Sequence, residues 1–443
     1  MKNLEQQDKR QKAKLIRLQN ANFKMLVASK DKQKHFFFCT LHFALCPLHF
    51  GFCLLFFAFC ILPFTVSAQT LTLQNALDLA IRKYPTIQQA SLQTQQQQAL
   101  TGTATIFDPF NINTSLGQIN SKVFDYNVGV AQGFKLPNAY KAERNLLKQN
   151  VAVAQSYEAV TKNELIRNVS NAYYNWLYSW QQYNLLLQTD SIFADYEKYA
   201  TKKYNVGESN KLEKINATLQ RKDLQLQLAK AKTEVAFYLI DLQKWMRTNE
   251  PYKAPASFTQ LSELNLSDSS LVNKHPILQF LQQQLTAREL AIKAEKAKGQ
   301  PSFNLGINAQ SLDKLTQFYY GSFGINVPVF KNGVKARTQA AVFEREIAKK
   351  ELDKSQQEIL TLFLQQNQIQ QQGLEQLKYY QTEGLLLAEN IINAAQRSYK
   401  AGDIGYIEYI QNIKDAIKIK TDYLLAVNSY NQNIIQINYL LNR

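Results

Sequence analysis

Between Pro137 and Pro251 the chain carries one glycine, Gly207, and no further proline. Apolar residues in this stretch return every three or four positions, as in Leu165, Val169, Ala172, Trp176, Trp180 and Tyr183. That step lays one apolar seam along a helix, the seam of a long coiled-coil-like packing. Fifty residues of helix extend about 75 Å. The pattern predicts long paired helices that turn near Gly207, with aromatic residues that pack rather than hold a ligand.

Four shorter segments change period. Phe124, Tyr126, Val128 and Val130 alternate with Asp125, Asn127, Gly129 and Ala131. Phe303, Leu305, Ile307 and Ala309 alternate with Ser302, Asn304, Gly306 and Asn308. Tyr319, Phe323, Ile325 and Val327 form one side of a third segment, and Asn111 to Ile119 is a weaker fourth. Period two predicts strands with one apolar face and one small or polar face. Runs near ten residues suit tilted strands that cross a bilayer.

The order of these elements occurs twice. KYPTIQQ around Pro85 answers KHPILQF around Pro276, GVAQGFKLPNAYKAE answers GINVPVFKNGVKAR, and KKYNVGESNKLEKI answers RSYKAGDIGYIEYI, at nearly constant offset. The last pair sets Tyr204 against Tyr399, Gly207 against Gly402 and Glu213 against Glu408. A tandem duplication of helix, strand pair, long helix, turn and helix is predicted, with halves at 69–255 and 256–443.

Composition sets the compartment. Residues 1–35 hold ten Lys/Arg against three Asp/Glu, while 36–68 hold none of these four and end in TVSA before Gln69. A basic start, an apolar run and a small-x-small ending predict a secretory signal peptide over 1–68, cut after Ala68. The competing reading is an uncleaved anchor, because the run is long enough to span a bilayer; Met25 is an alternative translation start. All the cysteines (Cys39, Cys46, Cys53, Cys60) and three of the four histidines (His35, His42, His49) fall in this leader. Cysteines seven apart suit a drifted repeat better than a zinc site, whose ligands sit a few residues apart. Beyond the cut no cysteine remains, which excludes disulfides, thiolate metal sites and lipid attachment. The one remaining histidine, His275, is expected on the surface at a helix start. The net charge of +16 falls once the basic leader is removed. What is left is spread over helix faces, so a solvated surface is expected and no nucleic-acid partner.

An open four-stranded sheet in lipid leaves backbone edges unpaired, at several kcal/mol per group. Closure with copies of the same chain satisfies every edge, and cyclic symmetry closes such an interface. The same ring gathers the long helices into a hollow cylinder. An exported protein of this shape is a conduit.

This arrangement resembles the TolC-type outer-membrane efflux channel family over essentially all of the mature chain. The residues that carry the resemblance are LTLQNALDLAIRKYPTIQQA at the mature start, VPVFKNGVKARTQAA and GFKLPNAYKAERN after the strands, and the doubled Y-x-x-G-[ED] turns ahead of Glu213 and Glu408. GQINS (Gly117 to Ser121), NELIRNVSNAYYNWLY and YNVGESNKLEKINA further resemble the branch paired with heavy-metal exporters of the resistance–nodulation–division class. The resemblance implies a mainly α protomer with a small β part, giving four strands to a trimeric, twelve-stranded outer-membrane barrel above a periplasmic α-helical barrel. It implies a passive exit duct, not an enzyme, with no cofactor or metal site of its own. Its partners would be a periplasmic adaptor (membrane fusion) protein, an inner-membrane efflux pump and outer-membrane lipid, and the narrower branch implies heavy-metal cations as cargo.

The resemblance places adaptor-docking turns at Gly207, Glu208, Ser209 and Asn210 and at Gly402, Asp403, Ile404 and Gly405. It places the gate at Glu408, Gln411, Tyr399, Tyr406 and Glu213. Three copies of Glu408 near an axis form a carboxylate ring that attracts cations. The chain departs from the family at Asn75, where many members carry Glu, and at Gln411, where the gate often has a second acidic residue. The plainer readings are solvated helix carboxylates for Glu213 and Glu408 and mere turn formers for the glycines. Tyr399 and Tyr406 either hydrogen-bond across neighbouring helices or pack.

Two other classes account for less of the chain. A secreted coiled-coil scaffold without a pore explains the Gln-rich helices but not the alternating strands. An enzyme finds no Ser/His/Asp set, glycine-rich phosphate loop or clustered carboxylate pair.

Overall fold

The computed structural model describes residues 69–256, 258–264, 269–313 and 315–443; the expected leader, 1–68, lies outside the described residues. After a two-residue strand β1 (Gln69–Thr70), helices α1 (Leu73–Lys83) and α2 (Pro85–Leu100) lead to strands β2 (Asn111–Gly117) and β3 (Asp125–Lys135). These are followed by α3 (Pro137–Asn205) and α4 (Lys211–Met246). A linker containing the short strand β4 (Tyr252–Lys253) crosses to α5 (Pro276–Ala297), β5 (Ser302–Leu312), β6 (Leu315–Asn326) and α6 (Asn332–Tyr379). A π-helical turn, Tyr380–Gly384, joins α6 to α7 (Leu385–Ala401), and α8 (Tyr406–Leu441) closes the chain. The order of helix, strand pair, long helix, turn and helix runs twice. Strands β1 and β4 also pair in parallel, which the sequence does not announce because two residues show no period.

Local chemistry starts and stops these helices. Pro85, Pro137 and Pro276 occupy first helical positions, where the missing N–H costs nothing and the fixed φ suits the helix. Thr72 caps α1 by accepting the Asn75 N–H at 3.3 Å. The seam expected on α3 is buried at Leu165, Val169, Ala172 and Trp176. It packs with Ala76 and Ala80 of α1 and Leu242 and Met246 of α4, and burying a side chain of Leu or Val size contributes about 1.5–3 kcal/mol.

Amide side chains fix the middle of the bundle. Asn163 Nδ2 of α3 donates to Tyr439 O of α8 at 2.9 Å, and Asn433 Nδ2 donates to Gln366 O of α6 at 3.0 Å. Asn431 accepts the Leu261 N–H at 2.7 Å and donates to Thr259 O at 3.1 Å. Gln370 Nε2 donates to Leu264 O at 2.9 Å. The linker between the halves is thereby strapped to α6 and α8 through its own backbone.

His275 is not the surface residue its sequence context suggests: only 2 % of it is exposed. It caps α5, Nδ1 accepting the Ile277 N–H at 3.2 Å, and its ring meets Tyr439 edge-on at 4.9 Å. Val272 and Leu278, which flank His275, pack in the same core cluster as Ile434, Ile437 and Leu440 of α8. Burial, with Arg167 adding repulsion, lowers its pKa from 6.5 to about 4. Between these values the unfolded chain binds a proton that the folded chain refuses, so stability falls as pH drops from 6.5 toward 4, by about 3 kcal/mol at most. His275→Asn, which keeps a capping acceptor and does not titrate, is expected to flatten acid unfolding over that window; an unchanged profile would exclude His275 as the cause.

Candidate functional site

Strands β2, β3, β5 and β6 form one antiparallel sheet in the order β2-β3-β5-β6. Val130 stands opposite Ile112 and Ile307, and Val128 opposite Ala309, so apolar residues line up across strands on one face. That face is uncovered: Val128 is 40 % and Ile307 73 % exposed, and Ile112, Leu116, Leu305, Tyr319, Phe323 and Ile325 are exposed beside them. A contiguous apolar surface of this kind marks a contact with lipid or protein. The opposite face is an amide and hydroxyl surface. Asn127 Nδ2 donates to Tyr320 Oη at 2.8 Å, and Asn308 Nδ2 donates to Ser322 Oγ at 3.1 Å. Gly129 makes room for this layer, since a Cβ there would lie 2.0 Å from Asn308 Oδ1. The sheet's open edges are β2 and β6. Among the described residues no helix is long and apolar enough to cross a membrane.

At the other end of the helices, two turns form a tip. Gly207 (φ +80°) and Gly402 (φ +88°) take the left-handed torsions that end a helix, which glycine adopts without a Cβ penalty. Glu208 N–H donates to Lys203 O and Asp403 N–H to Ser398 O, both at 2.9 Å, closing the two turns alike. Asn210 caps α4 by accepting the Glu213 N–H at 2.9 Å. Gly207, Glu208, Asn210, Gly402, Asp403 and Gly405 are exposed, while Ser209 and Ile404 are half-buried.

The two glutamates that the repeat equates have different surroundings. Glu213 is 7 % exposed and accepts a hydrogen bond from the Tyr399 hydroxyl, which ties α4 to α7. Tyr399 stacks on Tyr409 at 4.7 Å and meets Tyr196 and Tyr199 edge-on at 5.4 and 5.5 Å. Lys203 Nζ stands 5.3 Å from the Tyr399 ring, a cation–π distance. Burial, then the hydrogen bond to Glu213 and its charge, pushes the Tyr399 hydroxyl far above its usual pKa, and burial with the Glu213 charge raises Tyr196. Tyr409 rises to about 12 by burial, with Asp195 adding. All three hydroxyls therefore stay protonated at neutral pH, and the reading of Glu213 as a solvated helix carboxylate does not hold. Glu408 is exposed on α8. Gln411, also exposed, donates through Nε2 to Asp415 Oδ1 at 2.9 Å, and Tyr406 packs half-buried against the tyrosine cluster.

The structure thus brings Glu213, Tyr399 and Tyr406 together and leaves Glu408 and Gln411 on an open face. Sequence reasoning missed Tyr196, Tyr199 and Tyr409. The available signal was the spacing of Tyr196, Tyr199 and Tyr409, aromatic residues within about three helical turns of a glycine turn.

Compared by sequence, the chain matches no family model and no curated protein. Compared by structure, it is similar to CusC, a protein that undergoes conformational changes on folding and transmembrane channel formation, at 18% identity and a TM-score of 0.73, covering 83% of this chain and 91% of that one. It is similar to the CmeC outer-membrane channel of Campylobacter jejuni at 15% identity and a TM-score of 0.70, covering 83% and 85%. It is also similar to the open state of the MtrE outer-membrane channel of Neisseria gonorrhoeae at 16% identity and a TM-score of 0.70, covering 83% and 88%. A duplicated, mainly helical protomer with a four-stranded sheet, apolar on one side and polar on the other, is the fold of the TolC-type outer-membrane channels.

Proposed function

We propose that the chain is the outer-membrane exit duct of an efflux system: a passive, non-enzymatic homotrimer whose twelve pooled strands close a barrel in lipid and whose helices extend it into the periplasm. The observation that carries this is the two-faced sheet. Its bare apolar side needs lipid, its amide side needs water, and its unpaired β2 and β6 edges need one another in a ring. The leader, 1–68, directs export, and the halves 69–255 and 256–443 each supply two strands. The turns at Gly207 to Asn210 and Gly402 to Gly405 dock a periplasmic adaptor, through which an inner-membrane pump feeds the duct. Heavy-metal cations as cargo rest on the GQINS, NELIRNVSNAYYNWLY and YNVGESNKLEKINA resemblances. The pore-free scaffold gains nothing from the structure, because it leaves the apolar sheet face in water.

The gate is assigned to Glu213, Tyr399 and Tyr406 as the clasp within a protomer and to Glu408 and Gln411 as the ring around the axis. Purified trimers in planar bilayers test both parts. Conductance establishes the duct, and Glu408→Gln is expected to lower cation preference while Gln411→Asp strengthens it. Trimers that never conduct would overturn the duct; conducting trimers with unchanged selectivity in both variants would move the constriction elsewhere.

A further inference from the structure

The ends of the strands farthest from the helices carry contacts that a plain duct does not require. Strand β2 stops at Gly117, whose φ of +135° is open to glycine and closed to most other residues. From there the loop 118–124 folds across the sheet. Asn120 Nδ2 donates to Gln310 Oε1 of β5 at 3.4 Å, and Gln118 Nε2 donates to Lys122 O at 2.9 Å. Ser121 Oγ donates to Asp125 Oδ2 at 2.7 Å, while Ser311 Oγ of β5 donates to Asp125 Oδ1 at 3.3 Å and accepts the Tyr126 N–H at 2.9 Å.

Asp125 is fully buried. A buried carboxylate is costly unless its oxygens are hydrogen-bonded, and here one oxygen is served by the loop and the other by β5. The carboxylate therefore ties the two together. Alternation along the strands puts Asp125 on the side of Asn127, and Gln310 on the side of Asn308; Ser311 reaches Asp125 where that alternation is interrupted, at the register shift between Gln310 and Leu312. The loop lies over the polar face, the face that lines the lumen if the barrel reading holds.

We propose that the loop 118–124 is a lid, hinged at Gly117 and latched by Asp125, that narrows the outer mouth independently of the helical tip. Three copies converge on one opening, so each latch acts three times. The proposal rests on the barrel reading, and the test separates the two.

No cysteine follows Cys60, so introduced cysteines report without background. In cells carrying the full chain, a bulky membrane-impermeant maleimide added outside is expected to label Asn308→Cys slowly. Adding Ser121→Ala, which removes the loop's donor to Asp125, should raise the rate roughly tenfold. In planar bilayers, trimers carrying Asn120→Cys with Gln310→Cys should conduct less when oxidised than when reduced. This second arm compares one protein with itself and does not depend on how Ser121→Ala folds. Equal conductance in both redox states with the disulfide formed, together with a labelling rate indifferent to Ser121→Ala, overturns the lid. Failure of the barrel reading looks different: Val128→Cys would then react with the water-borne reagent as readily as Asn308→Cys.

Discussion

Lysine at Val128 or Ile307 is expected to abolish trimer assembly in the outer membrane, whereas lysine at Asn127 or Asn308 is tolerated. Val128 and Ile307 sit mid-strand on the bare apolar face, where a lysine ammonium must leave water or drag it into lipid. That costs about 2–4 kcal/mol per site at the bilayer midplane, and threefold symmetry makes it about 6–12 kcal/mol per trimer, comparable with the whole stability of a folded domain. Asn127 and Asn308 are neighbours in sequence but point to the other face, where each trades a hydrogen bond to Tyr320 or Ser322 for a solvated charge, within about 1 kcal/mol. Heat-modifiable trimer on gels of outer-membrane fractions reads the result. Equal loss on both faces would mean that the sheet does not divide lipid from water.

Tyr399→Phe is expected to raise the conductance of isolated trimers in the absence of any adaptor. The change removes one oxygen and leaves the ring stack on Tyr409 in place, but Glu213 then keeps a buried carboxylate without the hydroxyl that serves it. An orphaned buried acceptor costs about 1–3 kcal/mol, more when charged. The strain is relieved if α4 and α7 part and water enters. Glu213→Gln retains an acceptor without the charge, so its effect should be smaller, and the double variant should fall short of the sum because both changes break one contact. Additive effects would show that Tyr399 and Glu213 act through separate partners, and conductance unchanged in every variant would remove the clasp from the gate.

How much of this was legible follows from range. The helices α3 and α4 could be read because two prolines and Gly207 bracket them and a local apolar step fills the interval. The sheet could be read because alternation within one strand already tells which residues share a face. The π-helical turn could not: it falls in YYQTEG, where only Gly384 breaks a helical run, and the closeness of that glycine to its neighbours, a Cβ there lying 3.0 Å from Tyr380 Cδ1 and 3.6 Å from Ile419 Cγ2, is set by packing that a local sequence does not display. His275 was misjudged, and the plainer of the two readings of Glu213 failed, for one reason. A carboxylate or imidazole at a helix start looks solvated in sequence, and what buries each comes from far along the chain: α3, α7 and α8 around Glu213, and Tyr439 against His275. The repeat alignment itself misled, because Glu213 and Glu408 correspond in sequence while only one of them faces the tyrosines.

The amide straps across the middle of the bundle oppose axial sliding of its helices. Side chains of Asn163, Asn431 and Asn433 grip backbone groups on neighbouring segments, so sliding any of these helices along its axis would break several directional bonds at once. A tilt that pivots at these contacts displaces them least and the helix ends most. From Asn431 to Tyr406 the α8 helix measures about 37 Å, and a rod of that length pivoting by about ten degrees carries its end roughly 6 Å sideways. For the gate proposed above, this makes α8 a lever with its fulcrum at the straps, and a partner docked at the proposed turns would need to supply only a modest sideways push at the far end.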